Sequence, residues 1–272
     1  MNKSDSIQSK KYSEIKNLAA LASIQGGNAL IPLIMFPFLL SKIGIEKFAK
    51  LATFESVAFI ILTISLFSFD IFGVKLINKV KSKGKYAIAR VYYSILYARI
   101  ILFVISASII EILVLLLDRQ EVFASLVWLL FPFGIILQSS YYYQAVGNSI
   151  PLAIFVLVAR SIACGAMVLF VNGSTSLISA SAFIALSYLA SGMASIIYLK
   201  KNLHFISPFK IKRYTIAMLH HGVKLFAGGI SVLMYRGSNV LLLVALNASP
   251  IATSIYSIAE KYIKMIQALT LP

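Results

Sequence analysis

The stretch YYSILYARIILFVISAS, residues 92–108, decides how this chain folds. It belongs to an apolar run, 91–117, whose charged members are Arg99 and Glu111. A helix needs about 20 mostly apolar residues to cross a hydrocarbon core of about 30 Å, and this run suffices. Strands of a membrane barrel would instead show alternating segments of about 10 residues, and no such alternation is visible. Tyr92, Arg99 and Ser106 recur every seven residues, which places them on one stripe of a helix. The stretch therefore predicts a membrane-spanning helix with one polar stripe turned away from lipid. Such an arginine suits a cavity that receives phosphate or sugar, because guanidinium offers a planar fork of donors, and equally a contact to a carboxylate on a neighbouring helix.

The rest of the chain agrees. Hydrophobic residues make up 60% and charged residues 12% of the 272 residues, with a mean hydropathy of +0.89. A soluble domain has about 45 to 50% apolar and about 25% charged residues. The expected fold class is all-α, a polytopic membrane helix bundle. Apolar segments fall at about 17–40, 51–73, 91–117, 122–143, 150–171, 176–199, 223–246 and 250–272. Cys164 is the single cysteine, so neither an intramolecular disulfide nor a cysteine metal cluster is available. His204, His220 and His221 have no carboxylate near them in sequence, so no metal site is expected. Phosphate-binding loops, dinucleotide fingerprints and nucleophile elbows are missing, and the outer connections are short, so neither an enzyme nor a cofactor is expected.

The net charge of +16 is explained by topology. Basic residues crowd the leader, the connection around KVKSKGKYAIAR and the connection KKNLHFISPFKIKR, whereas the opposite side carries Lys42, Lys47, Lys50 and Arg119. This asymmetry places the N-terminus in the cytoplasm. The basic loops then call for no nucleic acid, although they would attract anionic lipid headgroups. In SSYYYQAVGN, Tyr141, Tyr142 and Tyr143 read as an interfacial aromatic belt for at least two of the three.

Arg99, Arg160, Arg236, Lys261 and Lys264 remain within or beside apolar segments, as do Glu55, Asp70, Glu111 and Glu260. Each such charge costs about 2.5 to 3.5 kcal/mol at a helix centre, so they should face protein or water. Structural ion pairs and snorkelling ends are the plain reading, and a polar cavity is the functional one. In YSIAEKYIKMIQ, Ser257, Glu260, Lys264 and Gln267 share a face, and Glu260 and Lys264 form an i, i+4 pair in the favourable order. Lys261 projects about 100° from Glu260 and is not neutralised by that pair. Gly26, Gly27, Pro32 and Pro37 in the first segment, and Gly228, Gly229 and Gly237 in the seventh, mark either bent cavity-lining helices or close helix packing.

A weak internal repeat aligns AKLATFE, 49–55, with SIYSIAE, 254–260, at an offset of 205 residues. Both follow a glycine-interrupted segment, which implies a six-helix unit. The expected organisation is a cytoplasmic leader at 1–16, a first six-helix lobe at 17–199, a basic cytoplasmic linker at 200–222, and the first two helices of a second lobe at 223–272.

Finally, GNALIPLIMFPFLLSKIGIEKFAKLATFESV, FDIFGVK, YYYQAVGN, YRGSNVLLL and YSIAEKYIKMIQ resemble the pattern of bacterial O-antigen and polysaccharide flippases. These belong to the multidrug/oligosaccharidyl-lipid/polysaccharide exporter superfamily. The resemblance runs from about residue 17 to the end and is carried by the order and spacing of loose motifs. Two departures are visible: Lys75 follows the FDIFG turn, where relatives continue with small or polar residues, and relatives have about twelve or more helices. A C-terminally truncated chain is therefore expected. The resemblance implies a multi-pass protein of the bacterial inner membrane that flips an undecaprenyl-pyrophosphate-linked oligosaccharide for O-antigen or capsule synthesis, by alternating access through a cationic cavity. Arg99, Arg160, Arg236, Lys261 and Lys264 would supply its positive potential, and Glu55, Asp70 and Glu260 would tune it or couple it to an ion gradient. Expected partners are the lipid-linked oligosaccharide and membrane lipids, with a polysaccharide polymerase and a chain-length regulator nearby. The competing expectations are a small-molecule or cation antiporter of the same superfamily and a truncated flippase without function.

Overall fold

A computed structural model describes residues 3–117, 121–236 and 238–270. Within those spans, the side chains at 3–14, 25, 28–32, 117, 221, 224–225, 229–236, 265 and 268–270 lie outside the description. Twelve α-helices follow one another among the described residues, which contain no strand. They are α1 (Lys3–Ile43), α2 (Ile45–Leu66), α3 (Phe69–Val80), α4 (Lys85–Leu117), α5 (Val122–Trp128) and α6 (Leu130–Gln138). The series continues with α7 (Ser140–Val146), α8 (Ile150–Phe170), α9 (Leu177–Asn202), α10 (Pro208–Arg236), α11 (Asn239–Ala245) and α12 (Pro250–Thr270). Five helical stretches are long and apolar enough to cross a membrane, namely Ile45–Lys83, Lys85–Leu116, Val122–Val146, Ile150–Phe170 and Leu177–Asn202. The chain is an all-α polytopic membrane bundle.

Local chemistry explains where the helices stop. Gly44, at φ 82°, turns α1 into α2, a conformation that glycine adopts without steric cost. Gly147, at φ 81°, ends α7, and its N–H donates to the Tyr143 carbonyl. The Lys81 ammonium caps the same helix end by donating to the carbonyls of Ala145 and Val146, where the helix dipole favours a cation. The first turn of α8 is tied down from a distance, because the Asn17 side chain accepts from the Ser149 N–H at 2.8 Å.

Two of the predicted segments are broken. The 51–73 segment is split at Phe67 and Ser68, both left-handed, into α2 and α3. The 122–143 segment divides into α5, α6 and α7, with left-handed Ser139 at the second break. A non-glycine residue in this conformation costs on the order of 1 to 3 kcal/mol, so tertiary packing has to hold it. The holding is mutual, since α3 packs on α7 and Gly73 brings α3 against the Tyr141 ring. The predicted 223–246 segment also differs from what folds: one helix begins at Pro208, ends at Arg236, and is followed by the short α11. In contrast, α1 stays helical through Gly26, Gly27, Pro32 and Pro37.

The centre of the bundle is α9, which packs on α5, α6 and α8. Its crossing with α6 is backbone against backbone: a Cβ on Gly192 would strike the Gly134 carbonyl, and one on Gly134 would strike the Tyr188 carbonyl. Buried apolar side chains form two clusters. One, around Tyr92, Tyr141, Tyr143, Phe69 and Met218, lies towards the end with the basic connections. The other, around Phe36, Phe48, Leu51, Trp128 and Met167, lies towards the opposite end. Tyr141 and Tyr143 are thus core residues, at 0% and 2% exposure, and do not form a lipid-facing belt. α12 lies across α1 and α2, and α10 runs along α4.

Candidate functional site

Three predicted residues sit in the middle of their helices. Glu55 is ten residues from the start of α2, Arg160 is ten from either end of α8, and Lys261 is eleven from the start of α12. At 1.5 Å per residue, Glu55 and Arg160 lie about 15 Å inside stretches long and apolar enough to cross a membrane, near the depth of a bilayer midplane.

These residues converge. Both carboxylate oxygens of Glu55 accept from the Lys261 ammonium, at 2.8 and 2.7 Å, and the two side chains are each 16% exposed. The same ammonium lies 3.7 Å from the centroid of the Phe36 ring on α1. Arg160 is 2% exposed and stacks 3.6 Å from the centroid of the Tyr188 ring on α9. Tyr188 is also within electrostatic reach of Glu55. One helical turn beyond Lys261, Lys264 bridges Glu260 at 2.8 Å and faces Phe59 at 5.1 Å. Phe59 leans on Phe131, and Phe131 leans on Tyr188, so aromatic rings connect the two cationic positions. A desolvated cation over a ring face is worth about 2 kcal/mol, a substantial offset to leaving water.

The i, i+4 pair of Glu260 and Lys264 forms as its spacing suggests. Lys261, read from sequence as lacking a counter-charge, has one on another helix in Glu55. Arg99 and Asp70 are not part of this cluster. They pair with each other at 3.0 Å beside the two left-handed breaks. Ser140 donates to the same Asp70 oxygen at 3.3 Å, and Arg99 stacks 4.7 Å from the Tyr141 centroid. Arg99 is 1% exposed, so it faces protein. The side chain of Arg236, which ends α10, lies outside the described residues. Among the described residues, no group of His, Cys, Asp and Glu is arranged to hold a metal ion.

Sequence reasoning missed the aromatic partners. Phe36, Phe59 and Tyr188 sit in apolar runs where nothing distinguishes a ring under a cation from one facing lipid. Their signal is spatial proximity to charges from other helices.

Comparison with known proteins gives two matches. A family model described as "Polysaccharide biosynthesis protein" matches residues 15–272. A protein of Escherichia coli (strain K12) named "Putative O-antigen transporter" is 24% identical over 126 residues, covering 46% of this chain and 30% of that relative. The match thus spans under a third of the relative's length. No solved structure matches the chain.

Proposed function

Because the chain belongs to the polysaccharide biosynthesis protein family, we propose that it moves a lipid-linked oligosaccharide, carried on undecaprenyl pyrophosphate, across the bacterial inner membrane for O-antigen or capsule synthesis. The supporting observation is the midplane cluster of Glu55, Arg160 and Lys261, to which α1, α2, α8, α9 and α12 all contribute. A pyrophosphate needs concentrated cationic donors away from bulk water, and ionisable residues within membrane helices characteristically mark substrate or ion paths. Arg160, Lys261 and Lys264 are proposed to contact the headgroup, and Glu55 and Glu260 to hold the lysines until it arrives. The lipid tail stays in the bilayer, and access alternates between the two sides.

The basic end of the bundle is read as cytoplasmic, which puts the N-terminus inside. Residues 17–199 are read as one lobe, 200–222 as a basic connection and 223–272 as the start of a second lobe. A polymerase and a chain-length regulator are proposed as functional neighbours. A second reading, a small-molecule or cation antiporter, draws on Glu55 and Glu260, which leave the described cluster nearly balanced in charge. Deletion of the gene separates the two, with complementation by wild type and by Lys261→Gln. The flippase reading predicts loss of surface polysaccharide that only wild type restores. Normal polysaccharide with altered drug or cation resistance supports the antiporter.

A further inference from the structure

Four connections gather at the end of the bundle opposite the basic ones: α1 to α2, α4 to α5, α8 to α9 and α11 to α12. Two cavities stand side by side there, and Glu46 and Lys50 of α2 line both. One, of about 400 Å³, takes its polar wall from Glu46, Lys47, Lys50, Glu121, Ser174 and Ser176. The other, of about 440 Å³, takes its polar wall from Glu46, Lys50, Thr53, Asn247 and Thr253. Both fall within the range of about 300 to 1,000 Å³ that small-molecule sites occupy.

Their chemistry differs from that of the cluster around Arg160 and Lys261. Two carboxylates and two ammoniums line the first cavity, and one of each lines the second, so neither holds a surplus of positive charge for a phosphate. Lys50 is engaged with Glu121 at 2.7 Å, and Lys47 donates to the Thr175 carbonyl at 3.1 Å. The side chains of Glu46 and Asn247, in contrast, make no hydrogen bond or ion pair among the described residues. The Thr53 and Thr253 hydroxyls donate to the carbonyls of Ala49 and Ser249 on their own helices, which leaves their oxygens as acceptors. Donors and acceptors thus alternate around the apolar side chains of Leu177, Ile178, Val244 and Pro250. That mixture suits a neutral ligand rich in hydroxyls, whose polar edge meets the carboxylate, amide and threonine oxygens while its C–H face rests on the apolar surface.

The cavities also lie on the way to the cationic cluster. Along α12, Thr253, Ser257, Glu260 and Lys264 follow at intervals of four, three and four, one polar stripe whose first two members are 2% and 3% exposed. Glu46 and Thr253 precede Glu55 and Lys261 on their helices by nine and eight residues. About 12 to 14 Å of helix therefore separates the second cavity from the Glu55 and Lys261 pair, a span that a short chain of sugars attached to a pyrophosphate can bridge.

We propose that the paired cavities form a glycan subsite, which receives the sugars of the lipid-linked oligosaccharide while its pyrophosphate occupies the cationic cluster, and that Glu46 and Asn247 select those sugars. The role in transport rests on the flippase reading above, whereas glycan binding does not.

The test uses the purified chain in lipid nanodiscs. The probe is a repeat-unit oligosaccharide cut by mild acid from the surface polysaccharide of the strain that carries the gene. Saturation-transfer NMR, which registers weak binding, should show transfer from the protein to the sugar protons. Glu46→Ala and Asn247→Gly should each weaken binding about two- to tenfold. Glycine keeps the left-handed backbone that Asn247 adopts at φ 56°, and both positions are exposed, so each variant should keep the wild-type melting temperature. Inorganic pyrophosphate should leave the transfer unchanged. Absence of transfer from the wild-type chain, equal transfer from wild type and both variants, or displacement by pyrophosphate overturns the subsite. In cells, the double variant at wild-type membrane level should lower surface polysaccharide, and unchanged polysaccharide overturns the role in transport. If deletion of the gene leaves polysaccharide intact while the oligosaccharide still binds, the flippase reading fails and the glycan site stands.

Discussion

Two ion pairs divide the bundle's interior between them, and they are built differently. Asp70 and Arg99 are 29 residues apart, and their contact is reinforced by Ser140 and by the Tyr141 ring. The pair is lopsided, with the guanidinium 1% and the carboxylate 38% exposed. Glu55 and Lys261 are 206 residues apart, equally exposed at 16%, and tie α12 to the early helices. The first pair, with Ser140 and Tyr141, ties α3 and α7, pieces of the two broken segments, to α4. The second joins distant parts of the chain part-way along α2 and α12. A buried charge is therefore informative only with its partners: the same residue types make a rivet in one place and a candidate binding site in the other.

The lopsidedness gives the largest expected effect. Asp70→Ala strands a fully buried guanidinium and should cost about 3 to 5 kcal/mol, read as a fall in thermal stability in detergent. Arg99→Met leaves a carboxylate that water already reaches, so it should cost clearly less. Equal losses from the two variants would break the distinction. Next comes the α6–α9 seam that carries Tyr188: Gly134→Ala drives a methyl into backbone and should cost about 1 to 3 kcal/mol. Its effect on function should follow its effect on folded yield, since it displaces Tyr188 only through the helix crossing.

Much of this was legible beforehand. The 150–171 and 176–199 segments match α8 and α9 within a few residues, because uninterrupted apolar length is a strong signal. The breaks at Phe67, Ser68 and Ser139 were not legible. They contain no glycine or proline, and tertiary contact between α3 and α7 holds them. The start of α10 was hidden for the opposite reason, since KIKRYTIAMLHH folds as helix although it is too polar for a hydropathy window. At the site, Glu260 and Lys264 were found because helical spacing pairs them locally. Lys261 was found as a charge but not with its partner, because nothing in either sequence neighbourhood brings Glu55 to it.

Smaller effects sharpen the comparison further. Lys264→Gln removes an i, i+4 pair whose lysine is 46% exposed, so stability should fall by only about 0.3 to 0.5 kcal/mol. Lys50→Gln, which opens the half-exposed bridge to Glu121, should cost under about 1 kcal/mol. Chemical denaturation in detergent measures both, and a loss of several kcal/mol from either would place a rivet where the structure shows a solvated pair.

The most direct test of the central claim is surface polysaccharide in cells carrying Lys261→Gln at wild-type membrane level. Losing one charge-assisted contact of about 1.5 to 3 kcal/mol should slow export about tenfold or more. Thermal stability should fall less than for Asp70→Ala, because the glutamine amide can still donate to the Glu55 carboxylate. Full polysaccharide display by Lys261→Gln would contradict the account.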